Sequence, residues 1–203
     1  MKTPRLAALA AVLATVTLLP ACAPLLLGGA AVGGALVFND RRTSGAQVED
    51  QSIELKAEAR AKAAGGDRAH LNVTSYNRLA LITGEVATEA DLAAVAQAVA
   101  SVENVKSVVN EAAVMGASSL TARSNDLILA SKVKATFVDT ADMQAQAIKV
   151  VVERGVVYLM GRVTEREANR AAEVTRTVSG VQKVVRVFEI LSEAELQALQ
   201  PSR

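Results

Sequence analysis

A duplication constrains this chain more than any other feature. An apolar strand that ends in glycine reads Leu79-Ala-Leu-Ile-Thr-Gly84-Glu-Val86, and it returns as Val156-Val-Tyr-Leu-Met-Gly161-Arg-Val163, 77 residues later. Each copy continues into a matched tail, Asn104-Val-Lys-Ser-Val-Val109 and Gly180-Val-Gln-Lys-Val-Val185, 76 residues apart. A helix-to-strand loop absorbs the one-residue difference. A unit this long is a small domain and not a solenoid repeat, so the chain holds two copies of one module. What distinguishes their functions must lie in what the copies do not share.

The N-terminal stretch has the character of an export signal. Lys2 and Arg5 precede an apolar run from Leu6 to Leu19, followed by small residues around Cys22, the only cysteine. Leu19-Pro-Ala-Cys22 resembles a bacterial lipobox, which implies cleavage before Cys22 and acylation there, with export onward to the outer membrane. A plain signal peptide cut nearby is the alternative. Leu25 to Phe38 is also apolar, and joined to the first run it is long enough to cross a bilayer. Pro20, Pro24 and four glycines from Gly28 to Gly34 interrupt that reading and favour a tether behind a lipid anchor. The expected organisation is a signal at 1–21, a lipidated N-terminus and tether at 22–47, modules at 48–115 and 116–192, and a tail at 193–203. With its one cysteine committed to lipid, neither module has a disulfide. Modules of about 70 residues are near the lower limit for independent stability, so the two are expected to pack together.

Hydrophobic periodicity gives each module the order helix, strand, strand, helix, strand. In the first, Val48 to Lys62 is expected as helix, His70 to Ser75 and Leu79 to Thr83 as a hairpin turning at Asn77-Arg78, a helix opened by Thr88, and Val105 to Val114 as the last strand. In the second, the elements are Ser124 to Phe137, Ala147 to Val152, Val156 to Met160 after a turn at Glu153-Arg-Gly155, a helix whose Thr164 and Glu167 form a capping box, and Val181 to Leu191. The fold class is α+β: in each module two helices cover a three-stranded mixed sheet, antiparallel in the hairpin and parallel across the helical crossover.

Charge separates the copies. Residues 48–115 hold 6 Lys and Arg against 10 Asp and Glu, a net of −4, whereas residues 123–192 hold 11 against 8, a net of +3. Only the second copy has the sign to approach an acidic surface. In its first helix, Leu129, Val133 and Phe137 share a narrow arc and form the core stripe. Leu127 and Ile128 point away from it, beside Lys132 and Lys134, with Ser131 among them. Apolar tips flanked by ammonium groups suit a shallow interfacial helix. The alternative is that Leu127 and Ile128 pack on the other module. Arg162, Arg166 and Arg170 offer a further basic strip, with Arg166 open to pairing with Glu165, Glu167 or Glu173.

Catalysis is not expected. His70 is the only histidine, so neither a metal site of several His and Cys ligands nor a His-based triad can be assembled. No cofactor is expected. Three aromatic Phe and two Tyr, with no Trp and a near-neutral charge, argue against nucleic acid.

The paired glycines, the Val-rich tails, Ser124-Asn-Asp126 and the run from Val157 to Ala168 resemble the BON domain, the bacterial OsmY and nodulation module. With the lipobox-like segment, Asp40-Arg41-Arg42 and Leu71-Asn-Val-Thr-Ser-Tyr76, the whole chain is similar to dual-BON outer-membrane lipoproteins. The resemblance implies a non-enzymatic, periplasm-facing lipoprotein. It would bind anionic phospholipid such as phosphatidylglycerol or cardiolipin through its second BON domain and support envelope integrity, including at division sites. Leu127, Ile128, Ser131, Lys132, Lys134 and Arg162 are the expected phospholipid contacts. A BON-based adaptor for envelope proteins and a periplasmic stress holdase are the competing functions.

Overall fold

A computed structural model describes residues 40–199. The expectations for the signal, Cys22 and most of the tether lie outside these residues. The first module contains α1 (Ser44–Gly65), β1 (His70–Tyr76), β2 (Leu79–Val86), α2 (Glu89–Ala100), β3 (Ser107–Asn110) and β4 (Ala113–Val114). The second contains α3 (Leu120–Asp139), a 3-10 turn at Ala145–Ala147, β5 (Ile148–Glu153), β6 (Val156–Thr164), α4 (Glu165–Arg176) and β7 (Lys183–Leu191), followed by α5 (Glu193–Leu199).

In both modules the hairpin is antiparallel and the strand after the crossover helix is parallel to the second hairpin strand. Both turns have two central residues with positive φ, Asn77 and Arg78 in one and Arg154 and Gly155 in the other. These are primed turns, whose twist matches that of the strands they join. The capping box at Thr164 and Glu167 is present.

The elements differ from expectation in several places, the first at a strand end. The last strand of the first module is broken: β3 and β4 both pair with β2, but Glu111 and Ala112 lie between them. Asn110 causes the break, because its side chain accepts from the Ala112 N–H (3.2 Å) and donates to the Leu92 carbonyl (3.3 Å). Arg186 holds the matching place in the second copy and offers no such acceptor, so β7 runs unbroken. Second, α1 and α3 begin earlier than expected, at caps supplied by Thr43 and Ser119. Third, part of the expected tail is the helix α5, with Ser192 and Glu195 exchanging hydrogen bonds at its start and Leu196 buried.

Strand alternation sets the layers. Ala80, Ile82 and Val86 of β2 face α1 and α2, while Val157, Leu159 and Val163 of β6 face α3 and α4, and each set belongs to its own core. The opposite faces meet each other. Tyr76, Leu81, Tyr158, Met160 and Val187 form a third core between the sheets, bordered by Leu79, Val109, Val156 and Val185. The expected packing of module on module is therefore sheet against sheet, with helices outside. Polar pairs border this contact: Lys149 with Glu54 (2.6 Å), Asn72 with Glu153 (3.1 Å) and Arg162 with Glu189 (3.0 Å).

The segment before α1 crosses the same seam. Arg41 makes a bidentate pair with Glu167 of the second module (2.7 Å to each oxygen) and donates to the Arg162 carbonyl. This guanidinium, with the Thr164 N–H, holds the Glu167 carboxyl below its usual range. Arg42 instead pairs with Asp50 (2.8 Å) and stacks 4.2 Å over the Tyr76 ring of the first module.

Candidate functional site

Both first helices bury the same stripe. Asp50, Ile53, Ala57 and Ala61 in α1 correspond, 76 residues on, to Asp126, Leu129, Val133 and Phe137 in α3, and all eight are buried. The aspartates hold the hairpin turns. Asp126 accepts from the Arg154 and Gly155 N–H groups (2.8 and 2.9 Å), and Asp50 from those of Asn77 and Arg78 (2.7 and 2.8 Å). Sequence periodicity located the apolar part of the stripe in α3 and missed its acidic first member.

Fixing that stripe fixes what α3 shows to solvent. Leu127 is 71% exposed and Ile128 55%, so neither packs on the first module. Ser131, Lys132 and Lys134 are exposed with them. Neither lysine has an ion-pair partner among the described residues. At 100° per residue, Lys134 lies on one side of Leu127 and Lys132 beyond Ile128 on the other, so the apolar pair has a positive group on each flank. The face is longer than the sequence reading, because Leu120 (78% exposed) and Val138 (70%) share the angular position of Leu127. The Ser119 cap was the signal that would have extended the helix to Leu120.

The Leu127–Ile128 ridge separates two grooves. Leu127 and Lys134 edge one of about 510 Å³, whose other bank is Glu54 and Glu58 of α1. Ile128 and Lys132 edge one of about 540 Å³ lined by Gly155, Gly180 and Gln182.

Arg162 is not brought to this face. It shares the β6 parity of Tyr158 and Met160, so it projects between the sheets, on the opposite side of β6 from α3, where it pairs with Glu189 and donates to the Arg41 carbonyl (3.2 Å). Arg166 pairs with Glu193 (3.6 Å), a partner absent from the sequence reading, and not with Glu165, Glu167 or Glu173. His70 lies in β1 as expected, with Nδ1 3.2 Å from the Glu85 carboxylate. Among the described residues no helix is long and apolar enough to cross a membrane.

The family model "BON domain" matches residues 49–116 and again 125–192. The "Outer membrane lipoprotein DolP" of Haemophilus influenzae is 37% identical over 190 residues, covering 90% of this chain and 95% of that one. A "21 kDa hemolysin" of Actinobacillus pleuropneumoniae is 30% identical over 155 residues, covering 73% and 78%. Among solved structures, CdsD, a structural protein of the type III secretion system of Chlamydia trachomatis, aligns weakly. Its TM-score is 0.29 at 13% identity, over 74% of this chain and 68% of that one.

Proposed function

Because this chain belongs to the BON-domain family and is an outer-membrane lipoprotein, we propose that it recognises anionic phospholipid through the outward face of α3. Acylated Cys22 serves as the covalent anchor, and the acidic first module stands as spacer or partner surface. In this role the protein supports envelope integrity, including at division sites. The observation that carries the reading is the exposed pair Leu127 and Ile128 flanked by Lys132 and Lys134, which have no ion-pair partner among the described residues.

Magnitudes indicate how the contact would work. Partial insertion of two aliphatic side chains contributes about 2–3 kcal/mol, and two lysines near an anionic surface about 1 kcal/mol each. The total, about 4–5 kcal/mol, corresponds to dissociation near the millimolar range. Such a contact holds a free protein only where accessible lipid is itself in the millimolar range. It becomes effective when a lipid anchor keeps it local, as stable membrane attachment generally needs two signals. The contact therefore selects the lipid while the anchor provides residence.

Residues 40–199 belong to one compact unit and residues 36–203 contain no cysteine, so the fragment 36–203 allows the test without the anchor. With accessible lipid in the millimolar range, this fragment is expected to float with vesicles containing phosphatidylglycerol, more strongly at low salt than at physiological salt, and not with neutral vesicles. Leu127→Ser, Ile128→Ser and Lys134→Ala together should reduce flotation by about tenfold or more, with an unchanged circular dichroism spectrum because all three side chains are exposed. Undiminished flotation of the folded triple variant would overturn the assignment of this face. Absence of flotation at either salt would leave the anchor as the membrane contact and turn the reading towards a protein adaptor.

A further inference from the structure

We propose that His70, Glu85 and Glu153 form a binding site for a divalent transition-metal cation of the Zn²⁺ type, built across the seam between the two modules. The donors come from β1, β2 and β5, and one ligand atom from each lies within 4.8 Å of the other two. Imidazole and carboxylate are a donor set that Zn²⁺ accepts, with a tetrahedral site completed by water. Counting only His and Cys in the sequence concealed the site, because two of its three donors are carboxylates that the fold brings from elsewhere.

Charge at the site favours a cation. Glu85 is fully buried and Glu153 is 4% exposed. One guanidinium reaches Glu85: Arg154 lies 3.3 Å from Glu85 Oε1 and also donates to the Gly84 carbonyl. That leaves Glu85 Oε2 facing His70 Nδ1 and the Ser118 N–H. Among the described residues the donor to Glu153 is the neutral Asn72 amide, at 3.1 Å to Oε2. Glu153 thus has no ion-pair partner among the described residues, and buried charge without a partner costs several kcal/mol. Among the described residues no donor reaches Glu153 Oε1. His70, Asn72 and Glu153 line the groove of about 510 Å³ between the modules, which gives an ion its path.

The second-sphere contacts are also in place. Asn72 orients the Glu153 carboxylate, and the Ser118 N–H and Arg154 orient that of Glu85. Because each module supplies part of the donor set, a bound ion would brace one against the other.

The chain has one histidine, and residues 36–203 have no cysteine, so any imidazole-dependent binding by this fragment reports on His70 alone. After treatment with a chelator and its removal, titration calorimetry with Zn²⁺ should show one equivalent bound, and the unfolding midpoint should rise with Zn²⁺ concentration. Co²⁺ should give visible absorption bands of the intensity of four- or five-coordinate complexes. His70→Ala and Glu153→Gln should each weaken Zn²⁺ binding by at least about tenfold, the scale seen even for changes around a metal's ligands. Both should keep the parent's far-ultraviolet circular dichroism. Absence of Zn²⁺ binding by the folded parent would overturn the site, as would binding that either folded variant leaves unchanged.

Discussion

Gly84→Ala is expected to destabilise the protein by about 4 kcal/mol, enough to leave the first module largely unfolded at moderate urea. Two costs add. Gly84 has φ +113°, where an L side chain is strained by about 1–3 kcal/mol. A Cβ there would also sit 2.0 Å from the His70 carbonyl oxygen. That oxygen belongs to β1, whose His70 and Leu71 are in register with Glu85 and Gly84, so relieving the clash requires the two strands to part. Gly161 occupies the same place in the second copy. Its added Cβ would lie 2.5 Å from the Ala147 carbonyl oxygen, without the positive φ. Gly161→Ala should therefore be the milder change, by about 1–2 kcal/mol. Urea midpoints of both variants check the size and the order. A Gly84→Ala protein within about 1 kcal/mol of the parent would contradict the close approach.

Asp50→Ala should cost about 3–4 kcal/mol, the range for removing one partner from a buried charged network. The Asp50 carboxylate accepts from Ser75 Oγ, the Asn77 and Arg78 N–H groups and Arg42, all at 2.7–2.8 Å. Burial alone would raise its pKa, but the Arg78 N–H, Ser75, Arg42 and the Asn77 N–H together hold it below the ordinary 3.8. A depressed pKa means that the folded state holds its proton less tightly than the unfolded chain does. The stabilisation is then complete above about 3.8 and is lost as pH falls through the folded value. Stability measured from about pH 5 down to about pH 2 should decline more steeply in the parent than in Asp50→Asn. Equal slopes would show that Asp50 is not held ionised by this network.

The residues that announce the fold are local ones. Turn pairs, the Thr164 and Glu167 box, and the apolar spacing in α3 each act within a few positions, so element order and the outward direction of Leu127 and Ile128 were legible from sequence. What escaped depended on side chains answering to distant partners or on an unread local cue. The bend after Asn110 needs the Leu92 carbonyl. Asp50 and Asp126 are polar members of apolar stripes because hairpin turns 27 to 29 residues away need acceptors. Arg162 misled because β6 was expected to stop at Met160. Once the strand runs to Thr164, alternation alone turns Arg162 away from α3. The α5 helix, by contrast, is announced locally by Ser192 and Glu195. The cluster at His70 joins positions 15 and 68 residues apart, from two copies whose contact no periodicity specifies.

The core between the sheets is built from matching positions: Leu79 and Val156, Leu81 and Tyr158, Val109 and Val185 stand in equivalent places in their own modules. Such a contact has the character of an isologous homodimer interface whose two protomers have been fused in one polypeptide. The short connection between β4 and α3 replaces subunit concentration with a fixed effective molarity, in the millimolar range for short linkers. The pairing is thereby made independent of how sparsely the protein is spread over a membrane. Released from that connection, either module would carry an uncovered, self-matching apolar face, and each would be expected to seek a second copy of itself.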